Sequence, residues 1–550
     1  MSEHNLGAML RRHAQTRPEQ AAISFPARFD GTQTTWTTLT FSDVDQQADA
    51  FAAGYRRAGL KRGDHVLLAV RPTERFYGMV FGLFRAGLVP VFVDPGLGLR
   101  RALDCVADIQ PAGLMGMPVV HLASLLYRSP FQRLRVRITD GWRLFWGGAT
   151  VSQLAASDPN DAPTSSPDPD AEAVIVFTSG STGTPKGVVL THGNMAARVE
   201  QIQELFTLRA GSTVVESLLV YTILEMAMGL SVVVPHMELS KPATCDPARI
   251  LEAVDAFSPH VLSASPVVWQ RLVRHCEAQD RDLGALELML TTAAPIPVDL
   301  HQRLAALVPE GTELFTPYGA TEAMPVARIG SREILRDTAP KTAAGDGTCV
   351  GRRAPEMEIR IVPISERPLT ELTSCPPGEV GEIVVSGQGV SGEYKGLAAA
   401  NVHAKIHADG KLWHRMGDIG YLDDADRLWF CGRLSHRLET EQGVVSAVAV
   451  EGIGNTHPDV LRTALIGVGQ PGAQVGVLAV ELEEGRAWSD TLHAALRARL
   501  DASRWADAVA IIAAHPGFPT DARHNSKIRR EDLRSWAAAQ LARLPETSSQ

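Results

Sequence analysis

Two hydrophobic periods alternate along the first part of the chain. Over residues 6–24, Leu6, Met9, Leu10 and His13 fall on one helical stripe, and the segment ends in the strand-like Ala21-Ala22-Ile23-Ser24. Residues 39–45 lead from a strand into a helix, with Ser42 as the expected N-cap, and the stripe continues through Ala48, Phe51, Ala52 and Tyr55. Gly63-Asp64 turns into Val66-Leu67-Leu68-Ala69-Val70, apolar enough for a strand buried on both faces. A helix over 76–86 and a strand over 89–93 follow, ending at Asp94-Pro95-Gly96. This alternation predicts a parallel α/β sheet.

The pattern loosens over 125–150, which is rich in Arg, Trp and Phe. Residues 157–170 have the composition of a surface linker. Strand–helix alternation resumes at Val174-Ile175-Val176-Phe177 and runs to about residue 330. Between 345 and 430 short strands separated by glycine turns predict a small antiparallel barrel or sheet. From 433 the chain restarts as a compact α+β domain, and 545–550 read as a frayed tail. The apolar stretch 218–235 contains Glu225 and is broken by Gly229, so it reads as buried core rather than a membrane span. There is no internal repeat.

One stretch breaks every packing pattern. Residues 178–187 hold three glycines, five hydroxyl residues, Pro185 and Lys186, directly after the buried strand. Glycines let a backbone approach closely and point N–H groups inward, hydroxyls donate to phosphate oxygens, and lysine adds positive charge. It is not a Walker A loop, since Lys186 precedes the last glycine. A flexible linker would not follow a buried strand so tightly. A second glycine pattern, Gly387-Gln388-Gly389-Val390-Ser391-Gly392, precedes Glu393-Tyr394-Lys395-Gly396. That continuation does not read as a helix, so the pattern is a turn and not a dinucleotide site.

Bulk properties narrow the classes. The 550 residues allow three or four domain-sized units. A net charge of −9, from 53 basic and 62 acidic residues, argues against nucleic acid as a partner. Six dispersed cysteines without a CxxC pair make a zinc site or a disulfide framework unlikely. They fit a reducing cytoplasm, as does an N-terminus lacking a basic region followed by an apolar run.

Together with the 178–187 loop, three later motifs resemble the acyl-adenylate-forming superfamily of acyl-CoA synthetases, peptide-synthetase adenylation domains and luciferases. They are Tyr318-Gly319-Ala320-Thr321-Glu322; Met416-Gly417-Asp418 with Gly432-Arg433; and Asn525-Ser526-Lys527-Ile528. The resemblance covers nearly the whole chain. It implies a large α/β N-terminal region of several subdomains over 1–432, with the barrel-like part inside it. A hinge at 433–436 and a small mobile α+β domain over 437–550 complete the expected organisation. It implies ATP and Mg²⁺ as cofactors. Thr178, Ser179, Gly180, Ser181, Thr182, Gly183 and Lys186 would cover the phosphates, and Glu322, with Thr182, would hold the metal. Tyr318 and Gly319 would meet the adenine, with Ala293, Ala294 and Pro295 as the opposite wall. Asp418 and Arg433 would bind ribose. Thr321 would bond the α-phosphate, and Lys527 would reach the carboxylate and α-phosphate in the transition state. These residue types suit the chemistry, because attack of a carboxylate on a phosphate brings anions together and requires positive charge between them.

Two departures stand out. Thr222 occupies about the position where many relatives place a pocket histidine, and Ser435, followed by His436, stands where the hinge usually carries Asp or Lys. The segments 93–96, 316–322, 347–352 and 518–528 resemble the β-lactone synthetases of bacterial long-chain olefin biosynthesis. That narrower resemblance implies a 2-alkyl-3-hydroxyalkanoic acid substrate, no requirement for CoA, and work alongside neighbouring olefin-pathway enzymes. Val220, Tyr221, Thr222, Leu224 and Met324 would line a wide acyl pocket. The alternatives are a fatty-acyl-CoA ligase, a fatty-acyl-AMP ligase and a degenerate adenylate-binding protein. Intact Thr182, Glu322, Asp418, Arg433 and Lys527 speak against the last.

Overall fold

In the computed structural model the described residues are 4–163, 167–178, 185–292, 296–520 and 528–543. Two large sheets carry the N-terminal part. The first has eight strands. A parallel run through Glu172–Thr178, Val89–Phe92, His65–Ala69, Gly113–Gly116 and Val136–Thr139 forms its body. Val66 and Leu67 are buried in separate apolar clusters, as expected of a strand covered on both faces. Lys186–Thr191 adds antiparallel to Glu172–Thr178.

The second sheet has 14 strands. Its parallel part includes Thr213–Glu216, Val261–Ala264, Leu288–Thr291 and Glu313–Ala320. Ala21–Phe29 pairs parallel with Ser231–Val233 and so belongs here, far along the chain from its neighbour. Beyond Ala323–Gly330 the sheet continues antiparallel through Thr348–Arg353, Leu428–Arg433, Lys411–Leu422, Gly381–Ser386 and Glu358–Val362. The barrel-like part expected over 345–430 is this open antiparallel wing, and no closed barrel forms.

Helix Phe41–Arg57 packs against helix Glu74–Ala86, and the close approach depends on glycine. A Cβ on Gly82 would lie 2.8 Å from the Cβ of Phe51 and 2.9 Å from the carbonyl of Ala48. One local expectation is corrected. The N-cap of this first helix is Thr40, not Ser42: Thr40 accepts from the Asp43 N–H while the Asp43 carboxylate bonds back, a capping box.

From Leu438 onward the chain builds its own core. Antiparallel strands Val460–Val468 and Val475–Leu482 are joined by parallel Val509–Ala514. Alternate residues feed opposite faces. Leu465 and Leu478 meet helices Ala447–Gly454 and Asp490–Asp501, whereas Ala464 and Val477 meet Leu533 and Ala537 of helix Arg530–Leu541. All six cysteines are free. Among the described residues no helix is long and apolar enough to cross a membrane.

Candidate active site

The site is assembled at strand ends and hairpin tips. Ala320 pairs with Ala323, which leaves Thr321 and Glu322 as the two-residue tip between Glu313–Ala320 and Ala323–Gly330. The tip backbone is held from two sides. The Ser391 N–H donates to the Glu322 carbonyl at 2.8 Å. Arg198, on helix His192–Phe206, donates through Nη2 to the Thr321 carbonyl and through Nε to the Gly389 carbonyl, both at 2.9 Å. The glycine-rich segment 387–392 is therefore a support for this tip. The strand Glu393–Tyr394 follows it, pairing with Val188 and Val189, so the reading as a turn is correct.

The Glu322 carboxylate accepts the Tyr394 hydroxyl at 2.8 Å. Two ammonium groups flank the same ring, Lys186 Nζ at 5.0 Å and Lys405 Nζ at 5.3 Å from its centroid. Lys186 is positioned by strand register, opposite Thr178 across the hairpin neck. Lys405 is buried and donates to the Ser391 carbonyl at 2.5 Å; burial lowers its pKa to about 7. Its ammonium thus loses the proton more readily than a surface lysine. Arg198, Tyr394 and Lys405 escaped the sequence reading. Among Asn401, His403 and His407 a further polar side chain at 405 gave no signal in sequence.

Asp418 lies opposite Arg433 across the antiparallel wing. Its Oδ2 accepts the Tyr318 hydroxyl at 2.5 Å, and its Oδ1 lies 2.9 Å from Arg433 Nη1. That ion pair is close but poorly aligned, so Oδ1 stays buried without a hydrogen-bond donor. An orphaned carboxylate oxygen at this depth is an acceptor awaiting a hydroxyl. Burial raises the Asp418 pKa and Arg433 opposes that shift. Tyr318, Asp418 and Arg433, distant in sequence, are thereby brought into one cluster, and the Tyr318 ring also meets Phe430 at 5.9 Å.

Around the expected acyl pocket the picture is mixed. On helix Leu219–Ala227, Thr222 and Leu224 are buried, Tyr221 is half-buried and Val220 is exposed. The Thr222 hydroxyl turns back onto the Leu219 carbonyl at 2.6 Å. Met324 is half-buried beside the Glu322 tip. This helix and the strand before it carry a pair of buried carboxyls, Glu225 and Glu216. Glu216 Oε1 accepts the Leu218 N–H at 2.7 Å, while Glu225 Oε2 is buried without a partner. Burial raises the pKa of each, and each raises that of Tyr221.

In the segment 433–436, Ser435 is exposed and His436 half-buried. Arg530 Nε donates to His436 Nδ1 at 3.3 Å, while the same guanidinium pairs with Glu451 at 2.9 Å. Burial, then Arg530 and Arg433, depress the His436 pKa to about 3. Ser179, Gly180, Ser181, Thr182 and Gly183, the wall Ala293, Ala294 and Pro295, and Lys527 lie outside the described residues. Thr520 and Ile528, on either side of these last residues in sequence, form an antiparallel bridge.

A glycine-rich sequence that follows the carboxyl end of a parallel strand, with an unsatisfied carboxylate acceptor in the antiparallel wing, suits an α/β enzyme that uses a nucleotide. The chain belongs to the AMP-binding enzyme family, whose profile matches residues 10–395. It is similar to the "Olefin beta-lactone synthetase" of Stenotrophomonas maltophilia (strain K279a), 39% identical over 98% of both chains. It is equally similar, 39% over 98% of both, to the protein of that name in Xanthomonas campestris pv. campestris. The fold is shared with the amide bond synthetase McbA from Marinactinospora thermotolerans, with a TM-score of 0.78, 23% identity, and 96% of this chain and 99% of that one covered.

Proposed function

We propose that the chain uses ATP and Mg²⁺ to adenylate a long-chain 2-alkyl-3-hydroxyalkanoic acid and lets the acid's own 3-hydroxyl close a β-lactone. The full-length similarity to two olefin β-lactone synthetases carries this reading. A carboxylate oxygen attacks the α-phosphorus and pyrophosphate departs; the 3-hydroxyl oxygen then bonds to the acyl carbon as the acyl–phosphate bond breaks, releasing AMP. The second nucleophile is tethered to its target, so it acts at the high effective molarity of an intramolecular reaction. No thiol is required.

The described residues fit the nucleotide. The free Oδ1 of Asp418 accepts the ribose hydroxyls, with Arg433 beside it, and Tyr318 is held in place by its bond to Oδ2. Glu322 offers one oxygen-donor side chain, and among the described residues no cluster of three potential ligands exists. That donor set suits Mg²⁺, which takes one or two carboxylates and completes its shell with phosphate oxygens and water. Bound there, the ion neutralises charge building on the phosphates. Tyr394 orients the Glu322 carboxylate, and Lys186 adds positive charge at the hairpin neck. Thr321 sits at the same tip, suited to the α-phosphate, and Lys527 joins from the C-terminal part. That part, residues 437–550, turns about 433–436, a role supported by its separate core.

The test is product analysis after incubation with ATP, Mg²⁺ and a racemic 2-alkyl-3-hydroxy fatty acid, with and without CoA. The expected products are a β-lactone and AMP without CoA. An acyl-CoA that forms only when CoA is present would make the chain a thioester ligase.

A further inference from the structure

Helix Pro118–Leu126 is inverted. His121 and Ser124 are buried at 0% and 2% exposure, whereas Val119, Leu122 and Leu126 stand out at 64%, 44% and 71%. The inward polar groups are engaged: His121 Nε2 lies 3.1 Å from the Ile138 carbonyl, and the Ser124 hydroxyl donates to the His121 carbonyl and accepts from Arg137. The outward positions follow the i, i+3, i+7 spacing of a single apolar stripe. A water-facing helix places these classes the other way round.

A neighbouring loop extends the stripe. Trp142 is 86% exposed and Phe145 77%, with Leu144 between them. The loop is seated on the helix, because Trp146 stacks on His121 with ring centroids 5.4 Å apart, and Phe145 packs against Trp146. Of the thirteen exposed large apolar side chains among the described residues, seven fall within residues 119–145. Clustering of this kind marks an interaction surface. Its charge is distinctive too. Residues 117–148 contain five arginines and one aspartate, in a chain whose net charge is −9. Arg128, Arg133 and Arg143 are exposed at the margin.

The sheet places this patch. The strands from Glu172–Thr178 to Val136–Thr139 run parallel, so the ends Thr178, Gly116 and Thr139 lie along one edge. The helix follows Gly116 and the aromatic loop follows Thr139, three and four strands from Thr178. At the usual strand spacing that is about 15–20 Å from the neck of the phosphate hairpin.

We propose that this patch docks the enzyme on a lipid bilayer bearing anionic headgroups. Tryptophan, phenylalanine and leucine enter the headgroup–acyl boundary, and the arginines meet lipid phosphates. The choice of a bilayer over a protein partner rests in one respect on the proposed function: an acid with two long alkyl chains, and its lactone, reside in membrane. Docking by this edge brings the catalytic end of the sheet to where they reside.

The test is co-sedimentation of the full chain with vesicles of phosphatidylcholine alone and with added phosphatidylglycerol, without ATP or acid. The wild type is expected to sediment with the anionic vesicles. Trp142→Ser with Phe145→Ser should abolish binding at either composition. Arg128→Gln with Arg143→Gln should weaken anionic-vesicle binding by about 25-fold, at about fivefold per arginine. All variants should melt as the wild type does and release pyrophosphate normally with a water-soluble 3-hydroxy acid. Three results would overturn the docking: no sedimentation of the wild type, sedimentation unaffected by either pair, or a concentration-dependent dimer dissolved by the same substitutions without vesicle binding. Failure to form lactone in any of these proteins would count against the proposed reaction and leave the sedimentation result intact.

Discussion

At the scale of single residues, the proposed nucleotide site turns on oxygen atoms held without a complete set of donors. Asp418 is the clearest case. Replacing it with Ala removes the acceptor and leaves the Tyr318 hydroxyl and the Arg433 guanidinium without their shared partner. Hydrogen bonds to charged groups contribute about 1.5–3 kcal/mol, so the ATP dissociation constant should rise about 10- to 100-fold. Titration calorimetry decides this, and an unchanged constant would remove Asp418 from the site. Tyr394 acts one step away, through Glu322. Tyr394→Phe keeps the ring between its two lysines and removes only the hydroxyl. Loss of such an orienting partner costs about 10- to 100-fold in metal affinity. The Mg²⁺ concentration for half-maximal pyrophosphate release should rise accordingly, with ATP binding little changed.

The residues named from sequence alone were those in short motifs, where spacing itself carries the signal. Thr321 and Glu322 occupy a hairpin tip, and Asp418 and Arg433 face each other across paired strands. Tyr394, Arg198 and Lys405 act through contacts that no local spacing encodes. Tyr394 meets Glu322 across 72 positions and Arg198 meets Thr321 across 123. The cap at Thr40 was legible, since Thr-x-x-Asp is a capping box, but Ser42 offered a competing hydroxyl two residues later.

At the scale of elements, helix Leu219–Ala227 rests on carboxyls that resist ionisation. Glu216 and Glu225 have folded-state pKa values above the usual 4.5, because burial penalises the charge of both, and Glu216 raises Glu225 further while the hydrogen bond between them partly offsets the shift of Glu216. The folded chain therefore binds more protons than the unfolded chain above that pH. Stability should fall as pH rises from the ordinary carboxyl range towards the raised folded values. Thermal melts between pH about 5 and about 8 should show this slope, and Glu225→Gln, which keeps the shape and cannot ionise, should flatten it. An unchanged slope would mean that the pair does not titrate with unfolding. The apolar run around Glu225 was correctly read as core, yet its partner Glu216 lies on another element, and sequence did not join them. Sheet membership was hidden for the same reason: Ala21–Phe29 pairs with Ser231–Val233 through register alone.

At the scale of the whole molecule, the proposed reaction draws on two parts of the chain with separate cores. In sequence Lys527 falls in the C-terminal part, whereas Glu322 and Asp418 fall in the other. Lys527→Ala should leave the ATP dissociation constant nearly unchanged and reduce pyrophosphate release at least about 100-fold, the scale of losing one transition-state electrostatic contact. Near-normal release would assign the adenylation step to other residues. The large sheet joins its parallel half to the antiparallel wing without a break, so the wing that carries Asp418 and the strand that leads to Glu322 move as one.

The Arg198 clasp has an evolutionary consequence. Its guanidinium binds the 321 and 389 carbonyls, groups that every amino acid supplies. The arginine cannot be exchanged for lysine, whose single ammonium lacks the span of the guanidinium fork. Position 389 is bound to the clasp as well, because a Cβ there would lie 3.1 Å from Arg198 Cγ, so divergence in this neighbourhood should spare Arg198 and Gly389 together.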